Sequence, residues 1–497
     1  MDSLTLKTFL VEFFLSVSLL ATLIYNSSIV RSVQFPLFDR EVYSQTLFLL
    51  VLGGFIIFNT DFGTFTPGLI FGTDGIALSS KLILCITLFA ALVLGQSHFY
   101  RAKINLFEFY SITILALISL MILVSSYDLI SIYISLEMQS LCFYILAAIN
   151  RYSAFSTEAG LKYFVLGAFI SGLFLFGASI LYGITGTTNL NSYALLFSSD
   201  LTSVLDINGN GDLNLSIFFL GILFILVAIL FKLAAAPFHI WSPDVYEGAP
   251  LNSTIIFVIV PKLVLLVVLF RVLYYSFFTY FEDFQSLLLI SGILSVLIGS
   301  FMALRQKRVK RLLIYSSISH VGFILLGCAT GTILGLTSVI YYLIFYLITS
   351  VLIWGVISLL INNSNSSLYL TDLAVLARIN PILGFSLALG FFSLAGIPPL
   401  VGFSMKFFIF SAAINADLYI ASVLIILLSV LGAFYYLRVI KVTYFEKLNT
   451  YKNILVINDE FTVFLISISF ILITITFINP NLFLLQSYKM ALSLGLM

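Results

Sequence analysis

Charge is scarce in this chain. Asp, Glu, Lys and Arg make up 9% of its 497 residues, against about 25% in soluble domains. So few polar side chains cannot cover a water-soluble protein of this length, which excludes a soluble enzyme. The charge present also balances. With 23 Lys+Arg against 22 Asp+Glu there is no basic excess to neutralise phosphates, and nucleic acid is not expected as a partner. Cysteine is nearly absent too: Cys85, Cys142 and Cys328 stand singly inside apolar runs, with no C-x-x-C pair. No zinc site, iron–sulfur cluster or disulfide framework is indicated.

What the chain has instead is apolar sequence, 61% of all residues. A spanning helix needs about 20 predominantly apolar residues. That criterion places spans near 4–24, 42–58, 76–97, 106–124, 127–149, 158–183 and 215–240, then near 252–275, 284–303, 311–329, 332–360, 381–412, 416–445 and 461–485. The fold class is therefore all-α, a polytopic membrane protein of about fourteen transmembrane helices, numbered below as spans 1 to 14. The runs are continuous rather than alternating, which excludes a β-barrel. Span 1 carries Glu12 and lacks a small-residue cleavage site, so it is expected to be a helix rather than a signal peptide.

Basic residues test that count. With fourteen spans, fifteen of the 23 Lys and Arg fall on one side of the membrane, including Arg101, Arg151, Arg305, Lys307, Arg308, Lys310 and Arg311. The terminal side receives Lys7, Arg271 and Lys489, and five lysines remain within spans. The rule that positive loops stay inside then puts both termini outside. The long 184–214 loop, with Asp200, Asp206 and Asp212 and no Lys or Arg, agrees with an outer position.

Charges at mid-bilayer cost several kcal/mol and are functional candidates by default. Glu137 lies ten residues into span 5, about 15 Å deep at 1.5 Å per residue. Lys232, Lys262 and His320 are similarly deep, and Lys406 follows a break in span 12. Burial penalises the charged form of acids and bases alike, so such groups exchange protons readily, and charging one shifts its neighbours. Three lysines, one glutamate and one histidine exceed what simple ion pairing explains, so a proton relay is the expected role. Lys81 and Lys162 sit in first turns and can snorkel. Lys162 also has Glu158 four residues earlier, the spacing of a surface pair. Glu12, Glu108 and Asp128 are near span ends and read as interfacial.

Two spans carry proline where helix should continue. Span 7 ends FKLAAAPFHIWSPDVYEGAP (231–250), and span 12 contains LAGIPPLVGFSMKF (394–407). Proline breaks the backbone ladder, and freed backbone is tolerated in a membrane only beside protein or a water-filled cavity. The breaks are five spans apart, an odd offset, which suggests two inverted five-helix repeats, spans 4–8 and 9–13. The expected organisation is thus 1–105 (spans 1–3), 106–275 (first repeat), 276–445 (second repeat) and 446–497 (span 14).

Other features carry less. His239, Asp244 and Glu247 fit no metal-ligand spacing, so capping or ion pairing is expected. The cluster Arg305–Arg311 reads as a topology determinant that also suits anionic lipid, such as cardiolipin, or an acidic partner. The 50 Phe and 26 Tyr read as packing and lipid-facing residues rather than a quinone box. NGNGD at 208–212 lacks the terminal glutamate of an EF-hand and reads as a turn.

The stretches DLISIYISLEMQSLCFYILAA (128–148), 231–250, SISHVGF (317–323) and 394–407 resemble the antiporter-like membrane subunits of respiratory complex I, NADH:ubiquinone oxidoreductase. The resemblance runs from about span 3 to span 13. Cation/proton antiporter subunits and membrane-bound hydrogenases share the family. Lys406 in place of glutamate, and the expectation of no long amphipathic helix after span 14, favour the smallest of the three such subunits. The resemblance implies Glu137 and Lys232 as a coupled pair, Lys262 and His320 as the central link and Lys406 as the outward lysine. Lys162 matches a family position near the pair. It further implies no bound cofactor: NADH, FMN, iron–sulfur clusters and ubiquinone are handled elsewhere in the complex, and no glycine fingerprint occurs here. Implied partners are the other membrane-arm subunits, including the middle antiporter-like one, and membrane lipids. Few alanines and many Phe, Ile, Ser and Tyr point to an AT-rich organelle genome, hence the mitochondrial inner membrane. The alternatives are a cation/proton antiporter subunit outside respiration and a non-pumping scaffold.

Overall fold

The computed structural model describes residues 9–30, 36–60, 70–102, 107–198, 211–362, 368–446, 454–456 and 459–494. Among the described residues, twelve helices are long and apolar enough to cross a membrane. Spans 7 and 12, each interrupted, bring the number to fourteen, as the apolar runs predict. Spans 1 to 6 are Leu10–Val30, Pro36–Phe58, Gly75–Ala102, Phe107–Ser125, Leu129–Ala148 and Ala154–Thr185. Span 8 runs Leu251–Ile259 and Pro261–Phe270 into a π-helical turn at Arg271–Ser276. Spans 9, 10 and 11 are Phe281–Leu304, Val309–Cys328 and Ile333–Leu359, and span 13 is Tyr419–Phe445.

Local chemistry sets many of the ends. Asp128 caps span 5 by accepting from Ile130 N–H, Ser153 caps span 6 from Ser156 N–H, and Thr332 and Asn380 do the same for spans 11 and 12. Each satisfies a donor that the first helical turn leaves free. Gly186 closes span 6 in the left-handed region at φ 71°, a backbone conformation that residues with a side chain rarely adopt.

Spans 8, 10 and 11 lie at the centre. Span 8 is buried throughout, and spans 10 and 11 nearly so, whereas spans 1, 2, 6, 13 and 14 leave most of their surface open. Spans 9 and 10 approach closely because small residues face each other: a Cβ on Gly322 would sit 2.2 Å from Ser295 Oγ. Small residues of this kind let membrane helices pack backbone to backbone. At the basic end, strand Leu360–Asn362 pairs antiparallel with Ile454–Val456 and joins the segments flanking spans 11 and 14.

Four expectations change. Span 14 does not continue to 485. It ends at Ile478, and a separate helix, Asn481–Leu492, follows Asn479–Pro480. Proline has no N–H to carry the ladder across that point. The segment 184–214 is not all loop, since Leu190–Ser198 is helical and Tyr193 is fully buried. Arg271 is not a loop residue of the terminal side but a buried one, 1% exposed, in the π-helical turn. Of the turn expected at 208–212, Gly211 and Asp212 instead begin the helix Gly211–Lys232, while positions 208–210, the acidic residues Asp200 and Asp206, and positions 4–8 of span 1 lie outside the described residues.

Candidate functional site

Glu137 sits eight positions beyond the start of span 5 at Leu129, about 12 Å along the helix. Ser140 Oγ donates to Glu137 Oε2 (3.3 Å) and to its carbonyl (2.9 Å). The carboxylate is half-buried, between the exposed side chains of Ile134 and Leu141. Lys232, the last residue of Gly211–Lys232, lies within electrostatic range of it. Among the described residues no ion pair within 4.0 Å joins the two. They interact through space rather than by contact.

Both span breaks are chemically supported. After Lys232 the chain turns through Ala234, which has φ 59°. The Trp241 indole N–H then reaches back to the carbonyl of Phe231 (3.1 Å), satisfying one of the backbone groups that the break frees. In span 12 the first half, Pro381–Ala395, ends at Gly396 with φ 84°. The second half is Val401–Asn415. Lys406 Nζ donates to the Ala395 carbonyl at 2.8 Å and lies 5.2 Å from the centre of the Phe323 ring. The lysine thus caps the helix half that precedes it. A side chain there is strained by that φ, and a Cβ on residue 396 would lie 3.0 Å from Lys406 Cδ.

Lys262 follows Pro261 in the middle of span 8. Its ammonium donates to Tyr346 Oη (2.8 Å), lies 3.5 Å from the Ser317 carbonyl and is 4.5 Å from the Tyr346 ring centre. On span 10, His320 is held at both nitrogens: Nδ1 is 2.5 Å from Tyr342 Oη, and Nε2 is 3.0 Å from Tyr436 Oη. Tyr342 and Tyr346 are four residues apart on span 11, so both face the same side. The Tyr346 and His320 ring centres are 5.2 Å apart. Beyond His320 a cavity of about 10 Å³ is lined by His320, Ser319, Tyr435, Tyr436 and Lys406, near the least volume that holds one water. Lys262, His320 and Lys406 therefore form one row through spans 8, 10 and 12.

Lys162 lies elsewhere. It is 44% exposed and pairs with Glu158 (2.7 Å) and Asp244 (3.4 Å). Arg311 joins Asp244 (3.4 Å) to Glu247 (3.2 Å), and Arg308 also pairs with Glu247. The acidic residues after the first break therefore serve ion pairing, tying span 6 and that segment to the start of span 10. Among the described residues no ion pair or hydrogen bond joins Lys162 to the other five candidates.

Two buried ion pairs correct the surface reading of Glu12, Lys81 and Arg271. Glu12 and Lys81 are neither interfacial nor snorkelling: they meet at 2.5 Å with side chains 4% and 2% exposed. Asp74 binds Arg271 at 2.8 Å and accepts from Tyr127, while Arg271 also donates to the Ser126 carbonyl (2.9 Å). The tyrosines at His320 and Lys262 had no distinguishing mark in a chain with 26 of them. Among the described residues no group of three or more His, Cys, Asp or Glu could hold a metal.

Residues 126–432 match the family described as NADH:quinone oxidoreductase/Mrp antiporter, TM. The chain is similar to NADH-ubiquinone oxidoreductase chain 2 of Marchantia polymorpha, 40% identical over 423 residues that cover 85% of this chain and 84% of that one. It is similar to NADH-quinone oxidoreductase subunit N of Parvibaculum lavamentivorans, 38% identical over 409 residues, 82% of each chain. Among solved structures, a chain of respiratory complex I from Thermus thermophilus superposes with a TM-score of 0.78 at 27% identity, covering 95% of this chain and 98% of that one. A chain of the Mrp complex from Dietzia sp. gives 0.82 at 19% identity, covering 99% and 98%, a likeness of fold alone.

Proposed function

The chain belongs to the NADH:quinone oxidoreductase/Mrp antiporter transmembrane family, and from that premise we propose that it is a proton-translocating membrane-arm subunit of respiratory complex I. It works as part of an enzyme, NADH:ubiquinone reductase, and its partners are the other membrane-arm subunits. It performs no redox chemistry itself; NADH, FMN, iron–sulfur clusters and ubiquinone act elsewhere in the complex. Relatives named as complex I subunits over more than four-fifths of their length support this reading over an antiporter outside respiration.

The observation that carries the mechanism is the buried row: Lys262 on Tyr346, His320 between two tyrosine hydroxyls, and Lys406 across a one-water cavity. Glu137 and Lys232 form its gate. They couple electrostatically without touching, so a charge arriving beside Glu137 changes the field at Lys232 and, through it, the rest of the row. Lys162, tied to Asp244 in the segment after Lys232, is the position from which the pair is loaded. The proton then moves through Lys262 and His320 to Lys406 and out. Spans 4–8 and 9–13 act as inverted repeats, each with its broken helix beside a lysine.

The basic end, with Arg305 to Arg311, is the matrix side of the mitochondrial inner membrane, and both termini face the intermembrane space. That basic cluster also contacts cardiolipin. The reading is tested in the assembled enzyme by counting protons moved per NADH oxidised. Lys232→Ala and Lys406→Ala each lower the count; an unchanged count in both sinks the relay. Purification from the native membrane with NADH dehydrogenase activity separates complex I from a free antiporter.

A further inference from the structure

An imidazole exchanges protons only at its two ring nitrogens, and in this protein both nitrogens of His320 face tyrosine hydroxyls. The ring is 3% exposed, so no bulk water reaches it. The hydrogen-bonded route for a proton entering or leaving His320 therefore runs through Tyr342 Oη or Tyr436 Oη. The two are not equivalent. Tyr342 is on span 11, one turn from the Tyr346 that binds Lys262. Tyr436 comes from span 13 and lines the cavity that Lys406 also lines, which Tyr342 does not.

We propose that Tyr342 and Tyr436 are the proton-carrying residues on the two sides of His320, Tyr342 towards Lys262 and Tyr436 towards Lys406. The inference rests on the relay reading above and adds the chemical bridges and their order. In the outward step the Nε2–H bond of the imidazolium breaks as Tyr436 Oη gains that proton. The phenol's own O–H bond breaks as its proton passes to a water in the cavity, and from there to the neutral amine of Lys406. One proton moves, the phenol ends neutral, and rotation about its C–O bond resets it. The simpler role for both hydroxyls is to satisfy a buried imidazole. A hydroxyl with that role alone affects stability but not the protons moved per NADH.

The experiment compares protons moved per NADH in the assembled enzyme, reconstituted in vesicles, for Tyr342→Phe, Tyr436→Phe and Lys406→Ala. Phenylalanine keeps ring volume and removes only the exchangeable hydroxyl. The expected result is that both phenylalanine variants fall to the Lys406→Ala value, and that Tyr436→Phe combined with Lys406→Ala falls no further. Tyr274→Phe removes a comparably buried hydroxyl that donates to the Cys328 carbonyl, outside the row, and keeps the wild-type count. If Lys406→Ala lowers the count while Tyr436→Phe does not, the bridge is wrong and the relay stands. If neither lowers it, both fall. Should Tyr436→Phe fail to assemble, Tyr436→His is read alone: its ring nitrogens still exchange protons, so a retained count supports the bridge and a lost one overturns it.

Discussion

Asp74 and Arg271 are 197 positions apart, yet their side chains meet at 2.8 Å with the guanidinium 1% exposed. The pair fastens the start of span 3 to the π-helical turn of span 8, nine residues beyond Lys262. Arg271 also stacks over Tyr127 at 4.2 Å, so three segments converge on one charge. A π-turn widens the helix by one residue, and here it places the guanidinium in the core.

Removing one partner of a buried pair leaves the other charge uncompensated, which costs about 3–5 kcal/mol. Arg271→Met is expected to destabilise the subunit by that order. Asp74→Asn combined with Arg271→Met should recover most of the loss. Thermal inactivation of the solubilised complex measures both. A double variant as labile as the single one would show that the pair does more than neutralise itself.

Glu12 and Lys81 make a second such pair, joining span 1 to span 3. Lys81→Met alone is expected to cost about 3–5 kcal/mol, and Glu12→Gln with Lys81→Met far less. The amount of span 1 protected from protease in the assembled complex is the readout. Equal protease sensitivity of single and double variants would refute the coupling.

Gly396 is fixed by two independent constraints, a φ of 84° and the Lys406 side chain at Cβ distance. Gly396→Ala is expected to push Lys406 off the Ala395 carbonyl, with a backbone penalty of roughly 1 kcal/mol besides. Protons per NADH should fall although every titratable group remains. Wild-type pumping in Gly396→Ala would show that the cap on the Ala395 carbonyl is dispensable.

Lys162 offers a contrast, because its partners are exposed. Exposed pairs contribute little and are screened by salt. Lys162→Met is therefore expected to leave the thermal midpoint of the complex unchanged while lowering protons per NADH. A stable variant that pumps normally would remove Lys162 from the relay and leave it to the surface network.

These cases mark what was legible in the residues. The two breaks were, since Pro237, Pro398 and Pro399 interrupt runs that are otherwise unbroken. The depths of Lys232, Lys262 and His320 were too, since depth follows from counting along a helix. The partners were not. Arg271 near a span end looked like a loop residue, and Asp74 had no visible counterpart. Span 14 looked continuous to 485, although Asn479–Pro480 carried the signal for its break.

By itself the sequence determined the class, the fourteen spans, the two lysine-bearing breaks and the handful of charges in the membrane. Each follows from a local property: hydrophobic length, proline, or position along one helix. The tertiary structure decided which of 26 tyrosines touch the row and which buried charges neutralise each other. It also decided that Lys162 stands in a surface network. These helices are apolar all round, so no polar stripe declares which face turns inward. Only packing against the neighbours selects that face, and with it the hydroxyls that hold His320.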